Sequence, residues 1–92
     1  MEPQSIELTI TNQLGLHARP ASAFVRVASG FESEIMVEKE GEIVNGKSLI
    51  SLLMLAAGCG TSIKVTASGV DSGEAIKAIE ELSLGDGVFN KE

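Results

Sequence analysis

The chain has little with which to stack bases, cross-link or chelate. Its 92 residues include three Phe and no Trp or Tyr, so the core must be aliphatic and no aromatic platform for nucleic-acid bases exists. Basic residues are also scarce. Seven Lys and Arg face thirteen Asp and Glu, a net charge of -6, which argues against a nucleic-acid binder and disfavours anionic membranes. A single cysteine, Cys59, allows no internal disulfide, and a single histidine allows no Cys/His zinc cluster. Between Gly58 and Gly60, Cys59 reads as a small turn residue. The longest apolar run, residues 52–57, is far too short to cross a bilayer. Met1-Glu2-Pro3-Gln4 lacks the basic and apolar regions of a signal peptide. The expectation is one small cytoplasmic domain over residues 1–92, with no metal and no cofactor.

What the chain does have is periodicity. Ile6, Leu8 and Ile10 alternate with Glu7, Thr9 and Thr11, the pattern of a half-buried strand. Ala21, Phe24, Val25 and Ala28 fall at helical spacing, which predicts a helix over residues 18–29, stopped by Gly30 and with Pro20 in its first turn. Ile35 and Val37 alternate with polar neighbours, and a Glu40-Gly41 turn leads to Glu42-Ile43-Val44, a hairpin. Ser48 opens a second, short helix with Leu49, Leu52, Leu53 and Ala56 on one face. Ile63, Val65 and Ala67 mark a fourth strand. Asp71 and Glu74 suit a capping box for a third helix, with Ala75, Ala78, Ile79 and Leu82 as its core face. Gly85-Asp86-Gly87 ends that helix and leaves a short polar tail after a core over about residues 6–84.

The order β-α-β-β-α-β-α places the chain in the α+β class. With one apolar face per strand and one stripe per helix, the economical packing is a mostly antiparallel sheet with all helices on a single face. The other sheet face, carrying Thr and Glu, should be wet.

Gly15-Leu16-His17-Ala18-Arg19-Pro20-Ala21 gathers the chemistry. It puts the only imidazole and a guanidinium at the start of a helix, whose first N–H groups have no intrahelical partner. A neutral imidazole nitrogen is nucleophilic near pH 7, and unpaired N–H donors with a cation suit an anionic phosphoryl group. The helix terminus contributes about 0.3–1 kcal/mol toward such a group, and a charge-assisted bond from Arg19 about 1.5–3 kcal/mol. Taken alone, His17 reads as a surface histidine and Arg19 as a solvated charge; together at one helix start they read as a phosphate acceptor and its clamp. No P-loop pattern is present, so phosphate must arrive on a partner protein.

Two motifs at this separation resemble the HPr family, the histidine-containing phosphocarriers of the bacterial phosphoenolpyruvate-dependent phosphotransferase system. Leu16-His17-Ala18-Arg19-Pro20-Ala21 looks like its active-site motif and Gly46-Lys47-Ser48-Leu49-Ile50 like its second signature. The resemblance implies an open-faced β-sandwich of a four-stranded antiparallel sheet with three helices. It implies a carrier rather than an enzyme. His17 would accept phosphate from phospho-enzyme I and pass it to enzyme IIA domains, with Arg19 assisting. Ser48 would be a target of an HPr serine kinase/phosphorylase. Leu14 departs from the small polar residue many sugar-system members carry three positions before the histidine, and with Thr11-Asn12-Gln13-Leu14-Gly15 it resembles the nitrogen-regulatory branch, NPr.

Ser48 also reads as a helix N-cap, a role compatible with phosphorylation because the helix terminus tolerates the charge. Leu49, Ile50, Leu53 and Met54 outnumber what one buried stripe needs. Leu49, Leu52 and Leu53 suit the interior, and the excess centred on Ile50 and Met54 predicts an exposed docking patch drawn from those four residues. A monomer is expected. Two rivals are a non-catalytic binding module switched at Ser48, against which the intact His17 and Arg19 argue, and a small-ligand-binding ferredoxin-like domain, which leaves His17 without purpose.

Overall fold

The computed structural model describes residues 3–10, 18–55, 58, 60–86 and 89–91. The elements are β1 (Gln4–Ile10), α1 (Ala18–Ala28), β2 (Glu34–Lys39), β3 (Glu42–Asn45), α2 (Leu49–Met54), β4 (Ser62–Ser68), α3 (Ser72–Asp86) and β5 (Phe89–Lys91). The strands form one sheet in the order β3-β2-β4-β1-β5, and every pairing is antiparallel. The α+β class, the antiparallel sheet with its four expected strands and the three helices match the expectation, and β5 adds a fifth strand at the β1 edge.

Alternation along each strand becomes a two-faced sheet through its register. Val37 opposes Val65, which opposes Ile6, and Ile35 opposes Ala67. One face therefore carries Leu8, Ile10, Ile35, Val37, Ile63, Val65 and Ala67, all buried. Ala21, Phe24 and Ala28 of α1, Leu52 and Leu55 at α2, and Ala75 and Ile79 of α3 cover it in a single core. Each buried Val, Leu, Ile or Phe side chain among them contributes about 1.5–3 kcal/mol by leaving water. On the other face, Glu7 and Lys64 are exposed while Thr9, Glu38 and Thr66 are half-buried, the wet side anticipated from composition. The β2–β3 hairpin turns at Glu40 (φ 50) and Gly41 (φ 86). Positive φ at both central residues matches the twist of the flanking strands.

Three local expectations need correction. The expected polar tail contains β5, whose Phe89 pairs with Ile10, Asn90 with Thr9 and Lys91 with Leu8. A three-residue strand is too short to show alternation, and its drive is the row of backbone groups β1 would otherwise leave open at the edge.

In α2, Leu49 and Leu53 are not interior. They are 36% and 37% exposed, while Leu52 and the following Leu55 are each 1% exposed. A helix of six residues presents only one turn to the core, so the i, i+3 pair of Leu52 and Leu55 takes the inward positions. Ala56 lies outside the described residues.

Asp71 does not complete a capping box with Glu74. Its Oδ2 accepts from the Glu32 backbone N–H at 2.9 Å, and its Oδ1 accepts from the Ser33 N–H at 2.9 Å and from the Ser33 hydroxyl. Those bonds, the Ser33 hydroxyl foremost, hold its carboxyl below the ordinary value of 3.8. The carboxylate thereby ties the turn after α1 to the start of α3.

Candidate functional site

The start of α1 is held by what it buries. Pro20 and Ala21 are buried in the first turn, with Phe24 one turn on, while Ala18 and Arg19 are exposed. Proline costs nothing there, because the first four N–H groups of a helix have no intrahelical acceptor. The first turn is thus fixed on the core by Pro20 and Ala21, with Ala18 at the surface and the Arg19 side chain exposed, without a hydrogen-bond partner among the described residues. His17 immediately precedes α1 in sequence; with Leu14 it lies outside the described residues, as does Cys59. Ile10, the last residue of β1, is tied to the loop before β4. Ile10 N–H donates to the Thr61 carbonyl at 2.9 Å, and Gly60 N–H donates to the Ile10 carbonyl at 2.7 Å.

The second signature begins with a close approach. A Cβ on Gly46 would sit 2.8 Å from Ile35 Cγ2, 3.1 Å from the Ile35 carbonyl and 3.2 Å from Phe24 Cε1. Only glycine lets the chain pass between β2 and the α1 phenylalanine, and Gly46 N–H donates to the Ile35 carbonyl at 2.7 Å. From that wedge the chain turns. Lys47 N–H donates to Asn45 Oδ1 at 2.9 Å, and Ser48 N–H donates to the Asn45 carbonyl at 3.1 Å. Lys47 Nζ reaches back to the Phe31 carbonyl at 2.6 Å, tying this turn to the end of α1. Ser48 then caps α2, its hydroxyl accepting from Ser51 N–H at 3.2 Å. The cap expected from sequence is present.

α2 packs against α1 and β3 and turns much of its apolar surface outward. Ile50 is 69% and Met54 74% exposed, beside Leu49 and Leu53 at little more than a third. An exposed cluster of large apolar side chains on one short helix is what transient docking uses. The structure therefore joins the cap and the patch on α2 and packs that helix along α1. Between Arg19 and Ser48 themselves there is no hydrogen bond.

The opposite face offers a groove of about 270 Å³ lined by Glu7, Glu38, Glu40, Gly41, Ser62, Ile63 and Lys64. Three carboxylates against one ammonium repel a phosphoryl group. The lysine contacts that frame α2 and the Asp71 anchor were not anticipated. They join residues 16 to 39 positions apart, and no local pattern announces such pairs. Gly46 was legible as part of the second signature, but not the close approach to Ile35 and Phe24 that requires a glycine there.

A family model described as the PTS HPr component phosphorylation site matches residues 4–83. The phosphocarrier protein HPr of Neisseria meningitidis is 48% identical over 85 residues, covering 92% of this chain and 93% of its own. Among solved structures, the histidine-containing phosphocarrier protein of a mycoplasma superposes with a TM-score of 0.89 at 34% identity, over 92% of this chain and 97% of that one. An HPr dimer from Thermoanaerobacter tengcongensis superposes with a TM-score of 0.73 at 45% identity, over 84% and 88%. A family match over residues 4–83, which includes both signatures, with relatives of this identity and coverage, identifies the chain as a member of the HPr family, the phosphocarrier proteins of the phosphotransferase system.

Proposed function

We propose that this HPr-family carrier accepts a phosphoryl group on His17 from phospho-enzyme I and passes it to enzyme IIA domains in sugar uptake. The observation that carries this reading is the start of α1, pinned by Pro20 and Ala21 one peptide bond after His17, with Arg19 exposed beside it. In the forward step a neutral ring nitrogen of His17 attacks phosphorus in line. An N–P bond forms as the bond from phosphorus to the donor breaks, and the donor keeps that electron pair. The helix N–H groups and Arg19 neutralise the equatorial oxygens, and transfer to the acceptor reverses the same events. Phosphoenolpyruvate is the ultimate source, so no bound cofactor is needed. The work belongs in the cytoplasm, with the exposed face of α2 (Leu49, Ile50, Leu53 and Met54) receiving both partners in turn and the carrier acting as a monomer.

The test is intact mass after incubation with phosphoenolpyruvate, Mg²⁺ and enzyme I, before and after mild acid. One acid-labile phosphate, absent in His17→Ala, is the expected result; phosphate acceptance by His17→Ala overturns the assignment. Arg19→Ala slows transfer without unfolding the domain, and unchanged kinetics removes its role.

Two finer readings accompany this one. Ser48 caps α2 among the docking residues, and a phosphate from a serine kinase there would put about two negative charges on that surface and alter docking. Leu14 favours the nitrogen-regulatory branch, and comparing transfer to sugar-type and nitrogen-type enzyme IIA domains separates the two.

A further inference from the structure

α2 cannot hold itself. At six residues it is far shorter than the roughly twelve to fifteen at which an isolated helix becomes marginally stable, and only Leu52 among its own residues is buried. Its shape is set from its two ends. At the start, Ser48 caps it. At the finish, the carbonyl of Leu55 accepts a hydrogen bond from Lys39 Nζ at 3.2 Å. A cation at a helix C-terminus satisfies an orphan carbonyl and complements the helix dipole. Lys39 is the last residue of β2, half-buried, immediately before the Glu40–Gly41 turn. Its stem therefore runs from the sheet's hairpin to the end of the helix that bears the exposed apolar cluster.

We propose that Lys39 is a positioning residue for partner docking: its ammonium fixes the last turn of α2 and so holds Leu53 and Met54 in one face with Leu49 and Ile50. The proposal rests on the docking role of that face and goes beyond it by assigning what keeps the face assembled. Lys39 touches neither phosphate nor partner in this role. Removing its charge frays the end of α2, and the apolar side chains no longer meet a partner together.

The experiment is steady-state phosphoryl transfer from enzyme I with this protein as the varied substrate, alongside hydrogen exchange of the α2 amides. Wild type is compared with Lys39→Met, Lys39→Arg and Ile50→Ser. Lys39→Met keeps the apolar stem and loses the donor. It is expected to raise KM roughly three- to tenfold with kcat within about twofold, and to speed exchange of the amides of residues 52–55 but not those of α1. Lys39→Arg, which retains charge and donors, restores both. Lys39→Leu repeats the loss of the donor should Lys39→Met fail to fold. Unchanged KM in Lys39→Met beside a raised KM in Ile50→Ser overturns the clamp and leaves docking standing. Unchanged KM in both overturns docking and the clamp with it. A fall in kcat at constant KM in Lys39→Met also overturns the proposal.

Discussion

The two helices that flank the candidate site are held in opposite ways. α1 runs eleven residues and buries Pro20, Ala21, Phe24 and Ala28, so its own apolar stripe seats it. α2 runs six, buries Leu52 alone, and leaves Ile50 and Met54 mostly in water. Its support comes from Ser48 and Lys39 at its ends and from Leu55 just beyond. The contrast follows from the work proposed for each. A helix that aims a reactive group must sit in one place, which dense packing provides. A helix that docks partners must keep apolar side chains free, so its stability has to be supplied at its termini.

The strongest way to break the contrast is Phe24→Ala. Removing a buried ring that also walls the Gly46 passage is expected to cost about 3–5 kcal/mol. That is a large share of the ~5–15 kcal/mol available to a domain, and denaturant unfolding reads it directly. Gly46→Ala strikes the joint between the two helices. Its new methyl would meet Ile35 Cγ2 at 2.8 Å, and the resulting overpacking is expected to cost about 1–3 kcal/mol, with faster exchange throughout α2. Ser48→Ala removes only the cap. A loss of about 1 kcal/mol, confined to α2 in an exchange experiment, is expected; a loss spread over α1 would show that the helices are not held separately.

The smallest effect concerns acid. Asp71 has a folded pKa below its ordinary value, so its bonds to the turn after α1 add stability that is complete above that ordinary value and lost as pH falls through the folded one. Urea midpoints measured down through the acid range should decline more steeply for wild type than for Asp71→Asn, and parallel curves would remove the anchor.

Much of this was legible beforehand because it is local. Strand alternation about Leu8, Val37 and Val65, the stripe of α1 and the cap at Ser48 each follow from a period of two or 3.6 or from a single side-chain bond. The excess of apolar residues on α2 likewise announced an exposed patch. Which leucines face inward was not legible, because Leu49, Leu52, Leu53 and Leu55 all satisfy a helical stripe over so short a span, and only the position of the sheet beneath decides among them.

By itself, the sequence determined the order of the first seven elements, the two-faced strands and the helix start that follows His17, because these depend on neighbours a few residues apart. The tertiary structure alone decided that β5 closes the edge of β1, that Leu55 replaces Leu49 and Leu53 in the core, and that Lys39, Lys47 and Asp71 serve as ties. Each of those partners lies far along the chain, where no periodicity reaches, and the pairing exists only once the sheet brings its backbone groups within a hydrogen bond's length.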